Sequence, residues 1–113
     1  MRAGGLDRQV LIEQRVRTQD STGELVDTWQ PVQRLWAGKR DMRAAERWAA
    51  AQLVAELATA WTARWFPGWY HIRPDTHRLV YKDQVFDIHG VREIGRQEGI
   101  EIATAARAEA AYV

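Results

Sequence analysis

The chain has 113 residues, a formal net charge of +1 and no cysteine, with 46% hydrophobic and 27% charged residues. That describes one globular domain with a modest core. It excludes a disulfide scaffold, a thiol nucleophile and a thiolate zinc site, and its balanced charge gives no bulk attraction for nucleic acid.

No apolar run follows Met1 to Gly5, so no signal peptide is expected. No stretch approaches the roughly 18 apolar residues of a membrane-spanning helix, so no membrane partner is expected. Arginine dominates the cations, with Lys39 and Lys82 the two lysines, and arginine suits bidentate interface pairs. Six tryptophans, at positions 29, 36, 48, 61, 65 and 69, are many for this length. Tryptophan is enriched at interfaces, so some should be core and some contact surface.

Residues 8–17 alternate around Val10, Ile12 and Val16 and predict a strand with one charged side. The cluster Gln19 to Gly23 is a turn. Strand chemistry resumes from Leu25 to Gln33 around Val26, Thr28 and Trp29, with Pro31 marking an edge or an irregularity. Leu35-Trp36-Ala37 continues the pattern and Gly38 ends it. The pair reads as a long hairpin with a projecting polar loop. Asp41 is a candidate N-cap, and residues 42–54, rich in Ala, Glu, Arg, Leu and Met, predict one helix of roughly three turns.

From Glu56 to Trp65 the period is ambiguous. Alanine favours helix, while Thr and Trp favour strand; strand is taken, with Trp61 and Trp65 on one face. Pro67-Gly68 breaks the chain, Trp69 to Ile72 bridges, and Arg73 to His77 turns. Arg78-Leu79-Val80-Tyr81 and Gln84-Val85-Phe86-Asp87-Ile88 flank Lys82-Asp83 as a tight hairpin. Gly90 bends or bulges the strand. Residues 95–99 make a polar turn before a last strand at 100–104. The expected fold is mostly β: a small five- to six-stranded antiparallel β-barrel with one inserted α-helix and a projecting hairpin loop. One domain would span residues 1–104, with 105–113 an alanine-rich tail or short helix.

Catalytic chemistry is missing. His71, His77 and His89 have no zinc-site spacing, the carboxylates are scattered, and Ser21, the one serine, carries no nucleophile motif. No glycine-rich phosphate loop exists. No catalytic, cofactor or metal site is therefore assigned. Arg15, Arg17, Arg34, Lys39, Arg40, Arg43 and Arg47 mix with Trp29, Trp36 and Trp48, the chemistry of a small-barrel nucleic-acid binder. Arg and Trp are equally the anchors of protein interfaces, and Glu13, Asp20, Glu24, Asp27, Asp41 and Glu46 would repel phosphates nearby. Mixed charge on every segment, the long hairpin and the surplus of tryptophan point to protein assembly.

The order of several short blocks resembles a known family. Met1-Arg2-Ala3-Gly4 leads to Leu6, Arg8, Val10 and Ile12. Gln19-Asp20-Ser21-Thr22-Gly23-Glu24 is followed by Thr28-Trp29 and Leu35-Trp36-Ala37. Arg43 and Glu46 stand at an alanine-rich helix entry, then come Ile72-Arg73-Pro74-Asp75, and Arg78-Leu79-Val80-Tyr81 with Val85-Phe86-Asp87-Ile88. This pattern is similar to the phage head-tail adaptor, or head-tail joining (head-closure, stopper), proteins of phages, prophages and gene transfer agents. It departs in the aromatic run Trp65 to Tyr70 and in the alanine tail.

The resemblance implies a structural virion component at the neck, made in the bacterial cytoplasm. It would form a ring, dodecameric or hexameric, between portal/adaptor and tail or tail-terminator proteins, passing double-stranded DNA without reading sequence and closing the channel after packaging. A tail-side completion or neck protein, and a small-barrel nucleic-acid binder, are the alternatives. On this reading Arg15, Arg17, Asp20, Thr22 and Glu24 of the loop and Arg43, Glu46, Arg47 and Gln52 of the helix are interface residues. Val10, Ile12, Trp36, Trp48, Trp61, Val85, Phe86 and Ile88 are core.

Overall fold

Alternation of apolar and polar residues drives six strands, seen in a computed structural model that describes residues 5–42 and 59–106. They are β1 (Arg8–Gln19), β2 (Leu25–Asp41), β3 (Thr59–Arg64), β4 (His77–Tyr81), β5 (Gln84–Ile94) and β6 (Gly99–Ala106), with a 3-10 turn at Trp69–His71. All neighbours pair antiparallel, in the order β1-β2-β3-β6-β5-β4. β4 pairs back onto β1 through Leu11–Val80 to Gln14–His77, and so closes the sheet as a barrel. Closure leaves fewer open strand edges than a flat sheet of this size would have.

The inward positions are those the period of two demands. Val10, Ile12, Leu35, Ala37, Trp61, Ala63, Leu79, Phe86, Ile88, Ile100 and Ile102 pack together, with Ile72 from the connection after the 3-10 turn. Trp61 is the largest side chain fully enclosed. Phe86 meets it edge-on at 5.2 Å and Tyr81 at a tilt at 5.3 Å, geometries that favour aromatic pairs. On the opposite face of β3, Ala60 is buried with Met42 and Ala103 packed against it.

Two bulges bend the strands. Ile12 pairs with Gln33 but Glu13 with Pro31, so Val32 is the extra residue. Proline has no N–H to give the ladder, and a bulge accommodates it. Ile88 pairs with Thr104 and Gly90 with Ala103, leaving His89 extra. The Lys82-Asp83 hairpin turns with φ of 50° and 64°. Positive φ at both central residues matches the twist of the flanking strands.

Several expectations are corrected. Among the described residues no α-helix appears, so the expected inserted α-helix is not seen there. The helix expected over 42–54, with Trp48, lies outside the described residues beyond Met42. The strand expected from Glu56 begins in the described chain at Thr59. β2 does not end at Gly38 but runs unbroken to Asp41, because backbone pairing of Gly38 with Thr62 carries it on. β6 reaches Ala106, past residue 104.

The projecting loop is instead a paired ribbon with a short turn, its ladder running out to Gln19–Leu25. Trp36 is not core: it is 57% exposed, since its neighbours Leu35 and Ala37 take the inward positions. Val85 is half-buried and pairs with Val80 on the outer side, because Phe86 and Ile88 face in.

Candidate interface

Beyond Gln14, the last β1 residue paired with β4, β1 and β2 leave the closed sheet and continue as a two-stranded ribbon from the Arg15–Trp29 pair to the Gln19–Leu25 pair. Alternation puts Gln9/Trp36, Leu11/Arg34, Glu13/Pro31, Arg15/Trp29, Arg17/Asp27 and Gln19/Leu25 on one outer face, opposite to Val10 and Ile12.

The base of the ribbon is clamped to β4. Arg78 donates from Nε to Glu13 at 2.8 Å, both side chains mostly buried, and its guanidinium lies 4.2 Å from the Trp29 ring centre. The Arg15 amide donates to the Thr76 carbonyl at 2.8 Å. A desolvated ion pair with a stacked ring is worth more than an exposed one.

Farther out, the exposed Arg17 donates to Asp27 at 2.9 Å. That hydrogen bond holds the Asp27 carboxyl below the usual carboxylate range and raises Arg17. At the tip Asp20 organises the turn. Its Oδ1 accepts from the Thr22 hydroxyl at 2.7 Å and from the Thr22 and Glu24 amides at 2.9 Å. These bonds, the Thr22 hydroxyl first, lower the Asp20 carboxyl. Gly23 takes φ of 86° to close the turn.

The structure thus gathers Arg15, Arg17, Asp20, Thr22 and Glu24 on one ribbon, with different tasks. Asp20 and Thr22 shape the turn, Arg17 is paired, and the Arg15 and Glu24 side chains have no ion pair among the described residues. Arg43, Glu46, Arg47 and Gln52 lie outside the described residues.

The outer face also carries Arg34, Trp36 and Arg64, none of which is among the interface residues expected from sequence. Past the Ala37–Ala63 pair, Trp36 and Arg64 come level on the outer side, with Arg34 two residues along β2. The parity of Leu35 and Ala37 was the signal that would have placed Trp36 outside. On the same side of the sheet Glu101 accepts from Arg40 at 2.8 Å and from Arg92 at 2.9 Å.

No group of three or more His, Cys, Asp or Glu side chains among the described residues could hold a metal ion. No helix among the described residues is long and apolar enough to cross a membrane.

Comparison with solved structures finds similar folds. The solution structure of protein SF1141 from Shigella flexneri 2a superposes with a TM-score of 0.74 at 23% identity, covering 96% of this chain and 99% of that one. A chain from the virion of a native gene transfer agent particle superposes with a TM-score of 0.58 at 26% identity, covering 89% of this chain and 93% of that one. A search of curated proteins finds no match. The family profile described as "Phage head completion protein" matches residues 1–107. Nearly the whole chain, with its closed sheet and ribbon, is accounted for by that match, and the protein belongs to the phage head completion family, a structural component of head-tail joining.

Proposed function

We propose that the chain works as one subunit of a ring at the head-tail junction, seated between portal/adaptor proteins and the tail, with the β1–β2 ribbon as its principal contact element. The observation that carries this is the ribbon itself. It leaves the closed sheet, is clamped at its base by Arg78, and presents exposed charge and apolar side chains where no core needs them. A similar chain occurs in the virion of a native gene transfer agent particle, which supports a place in a phage-type neck.

A dodecamer or hexamer suits the symmetry of such a neck, since closed rings arise from head-to-tail contacts. The lumen passes double-stranded DNA without sequence readout. The mixed charge of the chain fits passage better than tight binding. Arg15, Arg17 and Glu24 make contacts to a neighbour, and Asp20 and Thr22 hold the tip in shape for them. Arg43, Glu46, Arg47 and Gln52 are further contact points.

Removal of residues 20–24, with the strands rejoined by a two-residue turn, tests the reading. The shortened protein should stay folded by circular dichroism, while filled heads and free tails accumulate unjoined in electron micrographs. Normal joining by the folded variant would overturn the ribbon's role.

A further inference from the structure

The described residues expose five large hydrophobic side chains, and four of them lie on β2: Leu25, Val26, Val32 and Trp36. The two most exposed of the four, Leu25 at 64% and Trp36 at 57%, bound the stretch of β2 from its first residue to the start of its pairing with β3, and they lie on the same outer face. Each end of that stretch has its own charge. At the tip, Glu24 is exposed and unpaired among the described residues, and Asp20 stays ionised because its hydrogen bonds favour the carboxylate. The charge of Arg17 is offset by its pair with Asp27. At the other end, Trp36 lies level with Arg64 on β3 and two residues from Arg34 on β2, both arginines exposed and neither ion-paired among the described residues.

An acidic tip bearing a leucine and a basic patch bearing an indole complement each other in charge and in apolar area. They cannot meet within one molecule. Eleven residue steps of extended strand separate Leu25 from Trp36, about 36 Å. A second copy of this chain supplies what each end lacks.

We infer that the ribbon tip of one copy, through Glu24 and Leu25, seats on the Arg34–Trp36–Arg64 patch of the next copy. The contact uses two different surfaces, so it repeats head to tail and closes into a ring. It rests on the ring reading above and names the surfaces that make the ring. Leu25 covers the indole, and Glu24 lies between two guanidiniums that suit carboxylate recognition.

The absence of cysteine makes the test clean. Ser21→Cys places a thiol at the exposed tip, and Gln9→Cys places one beside Trp36, with which Gln9 pairs. Particles assembled with the double variant are treated with a short thiol-to-thiol crosslinker, and released necks are weighed by native mass spectrometry. The expected result is a covalent ladder rising to the full ring, while each single variant gives no ladder. Adding Glu24→Arg should cut the ladder roughly tenfold, and Arg34→Glu in the same chain should restore it. Multimeric necks without a ladder would overturn this contact and leave the ring standing. Closed dimers alone would overturn the head-to-tail geometry. Monomers by both measurements would overturn the ring reading together with the contact.

Discussion

Inside the closed sheet the Trp61 indole donates to the Thr104 hydroxyl at 3.0 Å, and that hydroxyl donates onward to the Thr59 carbonyl at 3.0 Å. Thr104 has no exposure at all. A buried indole N–H needs an acceptor, and this threonine supplies one while satisfying the start of β3. Thr104→Val keeps the shape and removes both bonds. It should destabilise the protein by about 1–3 kcal/mol, the cost of leaving buried polar groups unpaired. Chemical denaturation measures it, and an unchanged midpoint would show that the relay is not needed.

The clamp at the ribbon base gives a second expectation. Arg78→Ala removes the bond to Glu13 and the stack on Trp29 together. A loss of about 1–3 kcal/mol is expected. Amide exchange should rise in the ribbon, residues 15–19 and 25–29, and stay slow in β6. Equal acceleration in both regions would mean that Arg78 supports the whole sheet rather than the ribbon.

Gly38 faces the backbone of the N-terminal segment. A Cβ there would lie 2.5 Å from the Gly5 carbonyl oxygen, closer than any real contact, so the segment entering β1 must move. Gly38→Ala should cost about 1–3 kcal/mol, as overpacking does, with faster amide exchange at Leu6. A neutral result would mean that the N-terminal segment yields freely.

His77 is 7% exposed, and burial lowers its pKa below the usual 6.5. Its Nδ1 accepts from the Arg73 amide at 3.1 Å and lies 2.8 Å from the Thr76 hydroxyl. The unfolded chain therefore binds a proton more readily than the folded one. Stability is full above pH 6.5 and declines as pH falls from there toward the lower folded value. Denaturation midpoints at pH 7.5 and 5.5 should differ for the native chain and converge for His77→Asn. The same pH slope in both would assign it to other groups.

The Lys82-Asp83 turn holds two non-glycine residues at positive φ, which is unfavourable for both. Lys82→Asn with Asp83→Gly supplies the preferred turn residues and should stabilise by about 1 kcal/mol. A lower thermal midpoint for the double variant would show that Lys82, 5.4 Å from the Tyr81 ring centre, contributes more than the turn strain costs.

Much of the fold was legible because strand period and turn chemistry are local. Val10, Ile12, Phe86 and Ile88 alternate cleanly and are buried, and Lys82-Asp83 is bounded by two apolar runs. The bulges next to Pro31 and next to Gly90 were signalled by residues that disfavour a regular ladder. Three features were hidden. The pairing of β4 with β1 joins segments more than sixty residues apart, which no local pattern encodes. Gly38 reads as a stop, but its role is to admit a crossing backbone. Trp36, core on the family resemblance, lies outside because the inward parity belongs to Leu35 and Ala37. At the interface, the ribbon's charges were visible in sequence. The patch was not, because Arg64 comes level with Trp36 only through the β2–β3 register.

The central claim is a ring of this chain at the head-tail junction. A reconstruction of the particle neck by electron microscopy tests it most directly. The account predicts a closed ring of copies between portal/adaptor and tail, with each β1–β2 ribbon packed on its neighbour. A neck whose copies do not touch, or a ribbon facing solvent throughout, would contradict it.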